Sequence, residues 1–166
     1  MSKVWYGSLQ NRLEEGRNFT GREIKAGDDI TMYLYSDRAC YYVDFVEDQK
    51  HIKVRRYYHC ADHEKEGGIG HQNWMLFKTW DEWNAYLSRF FPEHHNAGEH
   101  HEEPEPETWV FRYNKWMREV RYTNPVFCGT VREHKSLEKN GYFKHYYDLA
   151  GSISFGVRNY HYDWEF

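Results

Sequence analysis

The clearest pattern in the chain is an alternation of apolar and polar residues with a period of two between Asp29 and Tyr58. Such alternation is typical of strands that bury one face of a sheet. The apolar runs are interrupted at residues 36–38 (SDR) and 47–50 (EDQK), whose residue types favour turns. The pattern therefore predicts a three-stranded β-meander. With an incoming strand, it predicts a small SH3-like barrel over about residues 24–58.

Strict alternation also predicts which side chains face inward. In the second strand it places Val43 and Phe45 on the same face as Tyr41. In the third strand it points the apolar residues at 52 and 54 inward, and Lys53 and Arg55 outward. We expect the outward face of the meander to carry tyrosines and basic side chains.

A period near 3.6 residues appears next, and it predicts one well-capped helix over residues 80–90. Its apolar stripe consists of four large residues, Trp83, Tyr86, Leu87 and Phe90. Thr79 and Glu82 have the spacing of a capping box, and Pro92 would stop the helix. Shorter helical patterns occupy residues 8–15 and 132–140, each followed by glycine.

The rest of the chain returns to a period of two. Residues 108–122 fit either an amphipathic helix or a hairpin that turns near Asn114, and their β-prone aromatic residues favour the hairpin. Ile153, Phe155 and Val157 alternate as a strand, which we expect to pair with residues 142–149 as a C-terminal hairpin. The predicted fold class is α+β with a mostly antiparallel sheet, in a single domain of residues 1–166.

Residues 92–107 (PEHHNAGEHHEEPEPE) interrupt these patterns with glutamate, histidine and proline. A segment of this composition cannot bury enough apolar surface to order itself, so it predicts a flexible, acidic, histidine-rich loop.

Composition changes the picture of the core. The chain has 15 Tyr, 10 Phe and 7 Trp, so aromatic rings must supply much of the buried surface. The net charge of -4 argues against strong binding to duplex nucleic acid, which depends on cations that neutralise phosphates. No apolar run approaches the length of a membrane span, and three widely spaced cysteines favour reduced thiols in a cytoplasm.

The loop that follows the meander holds the one local set of metal-ligating residue types. Cys60, His63 and His71 could contribute to a zinc site, although a fourth ligand and the usual two-plus-two spacing are missing. No nucleophile elbow or phosphate-binding loop is present. The sequence therefore predicts no cofactor and no catalytic residues.

The aromatic and basic side chains of the meander are the better candidates for a binding site. Rings beside guanidinium groups suit the recognition of nucleotides, single strands or acidic protein surfaces. The candidate ligand- or partner-binding residues are Tyr35, Arg38, Tyr41, Lys53, Arg55 and Arg56.

Three stretches of the sequence carry a resemblance to a known group. They are YSDR…YYV…QKHIKVR (35–55), GSLQNRLEE (7–15) and YYDLAGSISFGVRNYHYDWEF (146–166). Together they resemble small proteins encoded by phages and mobile elements of Firmicutes. The resemblance implies an accessory protein that acts in a bacterial cytoplasm, and it implies no particular chemistry.

The leading hypothesis is therefore a non-enzymatic, phage-type accessory binding protein that counters host defence. It would inhibit a CRISPR-type effector or sequester a nucleotide immune signal, so its partner would be a host defence protein or a nucleotide messenger. The alternative is a metal-dependent enzyme, such as a nuclease, that uses Cys60, His63 and His71. Exposed ring-rich strands would also suit a homodimer.

Overall fold

The computed structural model describes residues 23–64, 73–96, 98–158 and 160–161, so the helix predicted over residues 8–15 lies outside the described residues. The elements in chain order are β1 (Asp29–Tyr33), β2 (Arg38–Asp48), β3 (His51–Arg56), β4 (Tyr58–Ala61), β5 (Trp74–Phe77), α1 (Trp80–Ser88), β6 (Glu107–Arg112), β7 (Lys115–Tyr122), a short 3₁₀ helix (Pro125–Phe127), α2 (Val131–Asn140), β8 (Phe143–Asp148) and β9 (Ser152–Phe155).

Seven strands form one antiparallel sheet in the order β8-β7-β6-β3-β2-β1-β9, and β4 pairs with β5 in a second, two-stranded sheet. The fold class is α+β with a mostly antiparallel sheet, as predicted. The β1-β2-β3 meander is present, but it does not close into an SH3-like barrel. Strands β6 and β9, which come from the C-terminal half of the chain, take its two edges instead.

The large sheet curls without closing. The ring of Trp116 on β7 lies 5.5 Å from that of Phe155 on the edge strand β9, measured between ring centroids. The curl encloses a core of seven buried residues: Ile30, Met32, Ala39, Val43, Ile52, Val54 and Trp109. On the opposite face, the β4-β5 sheet helps to bury a second cluster of Cys40, Tyr42, Tyr57, Trp74 and Tyr160. The first half of β2, which contributes to both clusters, is therefore covered on both faces.

The predicted C-terminal hairpin is wrong. Strand β8 pairs with β7 rather than with β9, and β9 pairs with β1. This arrangement places Ile153 opposite Met32 and Phe155 opposite Ile30, which joins both apolar residues to the core. The connection to β9 requires glycine at residue 151, because a Cβ there would lie 2.0 Å from the carbonyl oxygen of Tyr33.

A β-bulge in β2 changes which of its residues face the core. Val43 pairs with Val54, and the register then shifts so that Phe45 pairs with Lys53. The extra residue between the two pairs rotates the rest of the strand by one position. Val46 therefore packs against the core, while Phe45 is 54% exposed. The prediction that Phe45 shares the inner face with Val43 is wrong because strict alternation cannot anticipate a bulge.

The local signals for helices and turns are confirmed. The Thr79 hydroxyl accepts a hydrogen bond from the Glu82 amide and caps α1, which ends at Ser88, two residues before the predicted end. Helix α2 ends at Gly141, whose φ of 78° is left-handed. Residues 108–122 form the favoured hairpin, and its two turn residues, Tyr113 and Asn114, both have positive φ.

The segment from His59 to Trp74 is predicted to be a loop, but its two ends belong to strands β4 and β5. Its beginning belongs to β4, which pairs with β5 from Tyr58↔Phe77 to Ala61↔Trp74. Residues 65–72 lie outside the described part of the chain. No helix among the described residues is long and apolar enough to cross a membrane.

Candidate functional site: a basic and aromatic pocket under an acidic segment

The six candidate binding residues do not form one cluster. Tyr35 lies in the β1-β2 connection and is 97% exposed. Arg38 is the first residue of β2, and its backbone pairs with that of His161. Arg38 lies about 10 Å from Tyr41 along the strand, since each residue advances a strand by about 3.3 Å.

The pairing of β2 with β3 divides the remaining four residues between the two faces of the sheet. Tyr41 pairs with Arg56, whereas the neighbouring Tyr42 pairs with Arg55. Paired residues of adjacent strands point to the same face, and successive residues point to opposite faces. Lys53 and Arg55 therefore share a face with Tyr42, not with Tyr41 and Arg56. A single outward face carrying all the predicted residues does not exist.

Tyr41, Arg55 and Arg56 nevertheless meet at the edge of β3. Val54 pairs with Glu107, the first residue of β6, and β3 continues beyond that pair without β6 beside it. The exposed strand end borders a pocket of about 240 Å³, which we call the basic-aromatic pocket. It is lined by Tyr41, Val54, Arg55, Arg56, Tyr58, Lys78, Glu103, Pro104, Glu105 and Glu107.

Packing against the core fixes the wall of the pocket. The Tyr41 ring lies 5.1 Å from the buried ring of Trp109, and the Arg56 guanidinium carbon lies 5.9 Å from the centre of the Tyr41 ring. Burial raises the pKa of the Tyr41 phenol, and the nearby Arg56 charge partly opposes that rise. The phenol therefore remains protonated and able to donate a hydrogen bond at neutral pH.

An acidic segment of the same chain, residues 99–107 (EHHEEPEPE), lies across this pocket. The two carboxylate oxygens of Glu103 accept hydrogen bonds from the Trp80 amide at 2.7 Å and from the Tyr58 hydroxyl at 2.8 Å. The next residue, Pro104, accepts a hydrogen bond from Arg55 Nη1 at 2.6 Å through its carbonyl oxygen. The acidic segment thus forms one side of the pocket, and its carboxylate and peptide carbonyl are bonded to Tyr58, Trp80 and Arg55 at the same time.

The position of Glu103 has a simple electrostatic explanation. Trp80 is the first residue of α1, so its amide belongs to the positive end of the helix dipole, where a carboxylate is favoured. Burial, together with the hydrogen bond to Glu103, raises the pKa of Tyr58 to about 12. The Tyr58 phenol is therefore a donor to this carboxylate throughout the physiological pH range.

The histidines of the predicted flexible loop lie along α1. His95 is within hydrogen-bond distance of Asn84, with Nδ1 and Oδ1 3.0 Å apart, and its ring packs edge-on against that of Trp83. Farther along the segment, the His101 ring lies 5.0 Å from that of Trp80. The loop therefore follows the protein surface up to the point where Glu107 begins β6.

Of the three residues of the alternative metal site, Cys60 and His63 lie among the described residues. His63 packs among aromatic rings, including those of Phe90 at 5.3 Å and Phe91 at 4.9 Å. Burial, with the charge of Asp62, raises the pKa of the Cys60 thiol to about 11, which disfavours the thiolate that zinc binds. No group of three or more potential ligands occurs among the described residues, and His71 lies outside them.

Sequence reasoning missed the residues that complete the pocket from elsewhere in the chain. Lys78, whose Nζ lies 4.9 Å from the centre of the Tyr42 ring, precedes α1, and Glu103 lies in a segment that was predicted to be flexible. The signal that could have found Glu103 is charge complementarity. The glutamate-rich residues 99–107 and the basic residues Arg55 and Arg56 carry opposite charges, so they are expected to attract each other within one small domain.

Comparison with known proteins finds no match for this chain among protein-family models, curated proteins or solved structures.

Proposed function

We propose that this protein is a non-enzymatic binding protein whose basic-aromatic pocket captures an acidic segment of a partner protein. One observation carries the proposal: the basic side of the pocket is already hydrogen-bonded to such a segment of its own chain, through Glu103 and Pro104. Its donors are a phenol, a helix-terminal amide and a guanidinium, which together match a carboxylate followed by a carbonyl. Tyrosine and arginine are also enriched at the energetic centres of protein interfaces.

The hydrogen-bond pattern of the pocket favours a peptide over a nucleotide. The space of about 240 Å³ that remains beside residues 99–107 is below the range of about 300–1,000 Å³ that is usual for small-molecule sites, so a nucleotide would also have to displace the segment. A peptide needs to place only one side chain and one carbonyl in the pocket while the rest of it lies on the surface. A partner's acidic segment would displace residues 99–107 and take over their hydrogen bonds.

The internal segment lowers the apparent affinity for such a partner. A tethered competitor acts at an effective concentration of the order of millimolar, so a free peptide must exceed that value or bind more tightly. Only a partner that adds contacts outside the pocket would then compete well. Residues 99–107 therefore prevent acidic peptides that lack such additional contacts from binding well.

The resemblance of residues 35–55 and 146–166 to proteins of phages and mobile elements of Firmicutes supports a cellular context for this activity. In that context we propose that the captured partner is a host defence protein, such as a CRISPR-type effector, in the bacterial cytoplasm. Capture would then block the partner without any chemical reaction.

Fluorescence anisotropy with a labelled peptide of sequence EHHEEPEPE tests the binding site. We expect Glu103→Ala, in which the internal segment is held less tightly, to bind the peptide, and the same protein with Arg55→Gln/Arg56→Gln added to bind at least tenfold more weakly, because the charged hydrogen bond from Arg55 contributes about 1.5–3 kcal/mol. Arg132→Gln in the Glu103→Ala protein is the matched control, since this exposed arginine lies on α2, away from the pocket. Equal binding by Glu103→Ala with and without the two arginine substitutions of the pocket would refute the assignment of the site.

Plaque counts test the cellular proposal. Expression of the wild-type chain in a host with an active CRISPR-type system is expected to restore plaques of a targeted phage. Expression of Arg55→Gln/Arg56→Gln is expected not to do so. Restoration of plaques by both proteins would show that counter-defence does not depend on the pocket. Restoration by neither would contradict counter-defence against that system.

A further inference from the structure

The face of the large sheet that carries Lys53 contains an open groove of about 680 Å³, which we call the sheet groove. Its volume is nearly three times that of the basic-aromatic pocket and falls within the usual range for small ligands. The lining residues come from both ends of the β2-β3 connection and from β6, β7 and β8: Phe45, Glu47, Asp48, His51, Lys53, Thr108, Glu119, Arg121 and Lys144.

Strand pairing arranges four of these side chains in a row. Phe45 pairs with Lys53, Lys53 with Thr108, and Thr108 with Glu119, so the row crosses four adjacent strands on one face. Adjacent strands lie about 4.8 Å apart, so the row is about 14 Å long. Arg121 pairs with Lys144 in the next row on the same face. An exposed ring thus stands at one end and a pair of cations at the other.

Two of the three acidic groups in the groove already have side-chain partners. Asp48 is hydrogen-bonded to His51 at 2.9 Å, and Glu119 lies 3.5 Å from the ammonium group of Lys144. Neither Lys53 nor Arg121 forms an ion pair among the described residues. The three acidic residues of the lining (Glu47, Asp48 and Glu119) equal its three basic residues in number, and Lys53 and Arg121 are the two basic residues left available to an anion.

Two features hold the ligand-binding groups in place before any ligand arrives. The guanidinium carbon of Arg121 lies 4.0 Å from the centre of the Tyr142 ring, which restricts the movement of this long side chain. The bulge in β2 turns Phe45 out of the core and onto the groove face, where it is 54% exposed. Bulges commonly re-aim a side chain beside a functional site.

We propose that the sheet groove binds a small anion that carries a planar ring, which is the chemistry of a nucleoside phosphate. The ring stacks on Phe45, and the phosphate is held by Lys53 and Arg121, with the Thr108 hydroxyl between them. This site is distinct from the basic-aromatic pocket, and it does not depend on the function proposed for that pocket.

Isothermal titration with adenosine diphosphate, adenosine and inorganic phosphate tests the proposed chemistry. We expect the diphosphate to bind at least tenfold more tightly than adenosine or phosphate, because only the diphosphate engages the ring and the cations together. A short single-stranded oligonucleotide forms the fourth arm and distinguishes the end of a strand from a free nucleotide. Equal affinity for the diphosphate and for phosphate alone would overturn the role of the ring, and absence of binding by both nucleotide probes would overturn the site.

Matched variants locate the binding. Of adenosine diphosphate and the oligonucleotide, the probe that binds wild type more tightly is used here. Phe45→Ala and Lys53→Gln are each expected to lower its affinity about tenfold. Phe127→Ala and Lys135→Gln remove an exposed ring and an exposed cation elsewhere and are expected to leave its affinity unchanged. Thermal melts confirm that each variant is folded.

Arg55→Gln/Arg56→Gln is also expected to retain nucleotide binding. Loss of binding in this double variant, together with wild-type affinity in Phe45→Ala and Lys53→Gln, would overturn the groove proposal. The same double variant is the one expected to lose the acidic peptide, so the failure of one proposal is distinguishable from the failure of the other.

Discussion

The basic-aromatic pocket and the sheet groove are built on the same sheet from the same residue types, yet one is covered by its own chain and the other is open. In the pocket, Arg55 donates to Pro104 and lies 3.3 Å from Asp44, so its charge already has partners. In the groove, Lys53 and Arg121 form no ion pair among the described residues. Two basic residues of one strand, Lys53 and Arg55, therefore have different surroundings although they point to the same face of the sheet.

The origin of the difference lies in where neighbouring strands begin. Strand β6 starts opposite Val54, so Arg55 lies beyond it and the acidic segment that leads into β6 must pass over that arginine. Lys53 lies one position before Val54 and pairs with Thr108 of β6, so β6 already lies beside it. A shift of two residues along β3 therefore separates a covered site from an open one.

The largest effect that should separate the two sites is on stability. Trp109 is fully buried and supports Tyr41 in the wall of the pocket, whereas Phe45 stands exposed in the groove. Trp109→Ala is expected to lower the free energy of unfolding by about 3–5 kcal/mol. Phe45→Ala is expected to change it by no more than about 0.5 kcal/mol. Denaturant unfolding followed by circular dichroism measures both, and similar losses would mean that the ring of Phe45 is part of the core.

A smaller effect tests whether the acidic segment is held by specific bonds. A double-mutant cycle of Tyr58→Phe and Glu103→Ala is expected to give a coupling energy of about 1 kcal/mol, since the two side chains are directly hydrogen-bonded. The cycle of Tyr58→Phe with Glu102→Ala is the control and is expected to show no coupling, because Glu102 makes no such bond among the described residues. Equal coupling in both cycles would show that only net charge matters.

The alkaline titration of Tyr58 gives a third, finer test. Because its folded-state pKa is raised to about 12 from an ordinary 10, the stability associated with the protonated phenol is fully present below pH 10 and is lost as pH rises toward 12. The difference in tyrosinate absorbance between wild type and Tyr58→Phe measures this pKa. Glu103→Ala is expected to move it back toward 10, and an unchanged pKa would contradict the role of the hydrogen bond.

Much of the fold follows from local sequence signals. Thr79 and Gly141 mark the start of α1 and the end of α2, and the alternating residues of the meander and the 108–122 hairpin form strands as expected. These signals act over a few residues, so they can be read without knowing the rest of the structure. The partners of the edge strands could not be predicted in this way. Phe155 pairs with Ile30 across more than a hundred residues, and no local signal in the sequence specifies that pairing.

The candidate sites were predictable only in part, and for a related reason. Residue types identified Tyr41, Lys53, Arg55 and Arg56, but their division between two faces depends on the register of β2 against β3. The bulge that exposes Phe45 has no glycine or proline to announce it. Glu103 and the Trp80 amide are 23 residues apart in the sequence, and only their charge complementarity pointed to the contact between them.

We propose that residues 99–107 lie in a site that binds an acidic segment of a partner protein. The most direct measurement is the affinity of the EHHEEPEPE peptide for wild type, Glu103→Ala and Glu102→Ala. Removing the Glu103 carboxylate weakens the tethered competitor, so Glu103→Ala is expected to bind the peptide about tenfold more tightly than wild type. Glu102→Ala is expected to match wild type. Peptide affinity that is unchanged or reduced in Glu103→Ala would contradict the account.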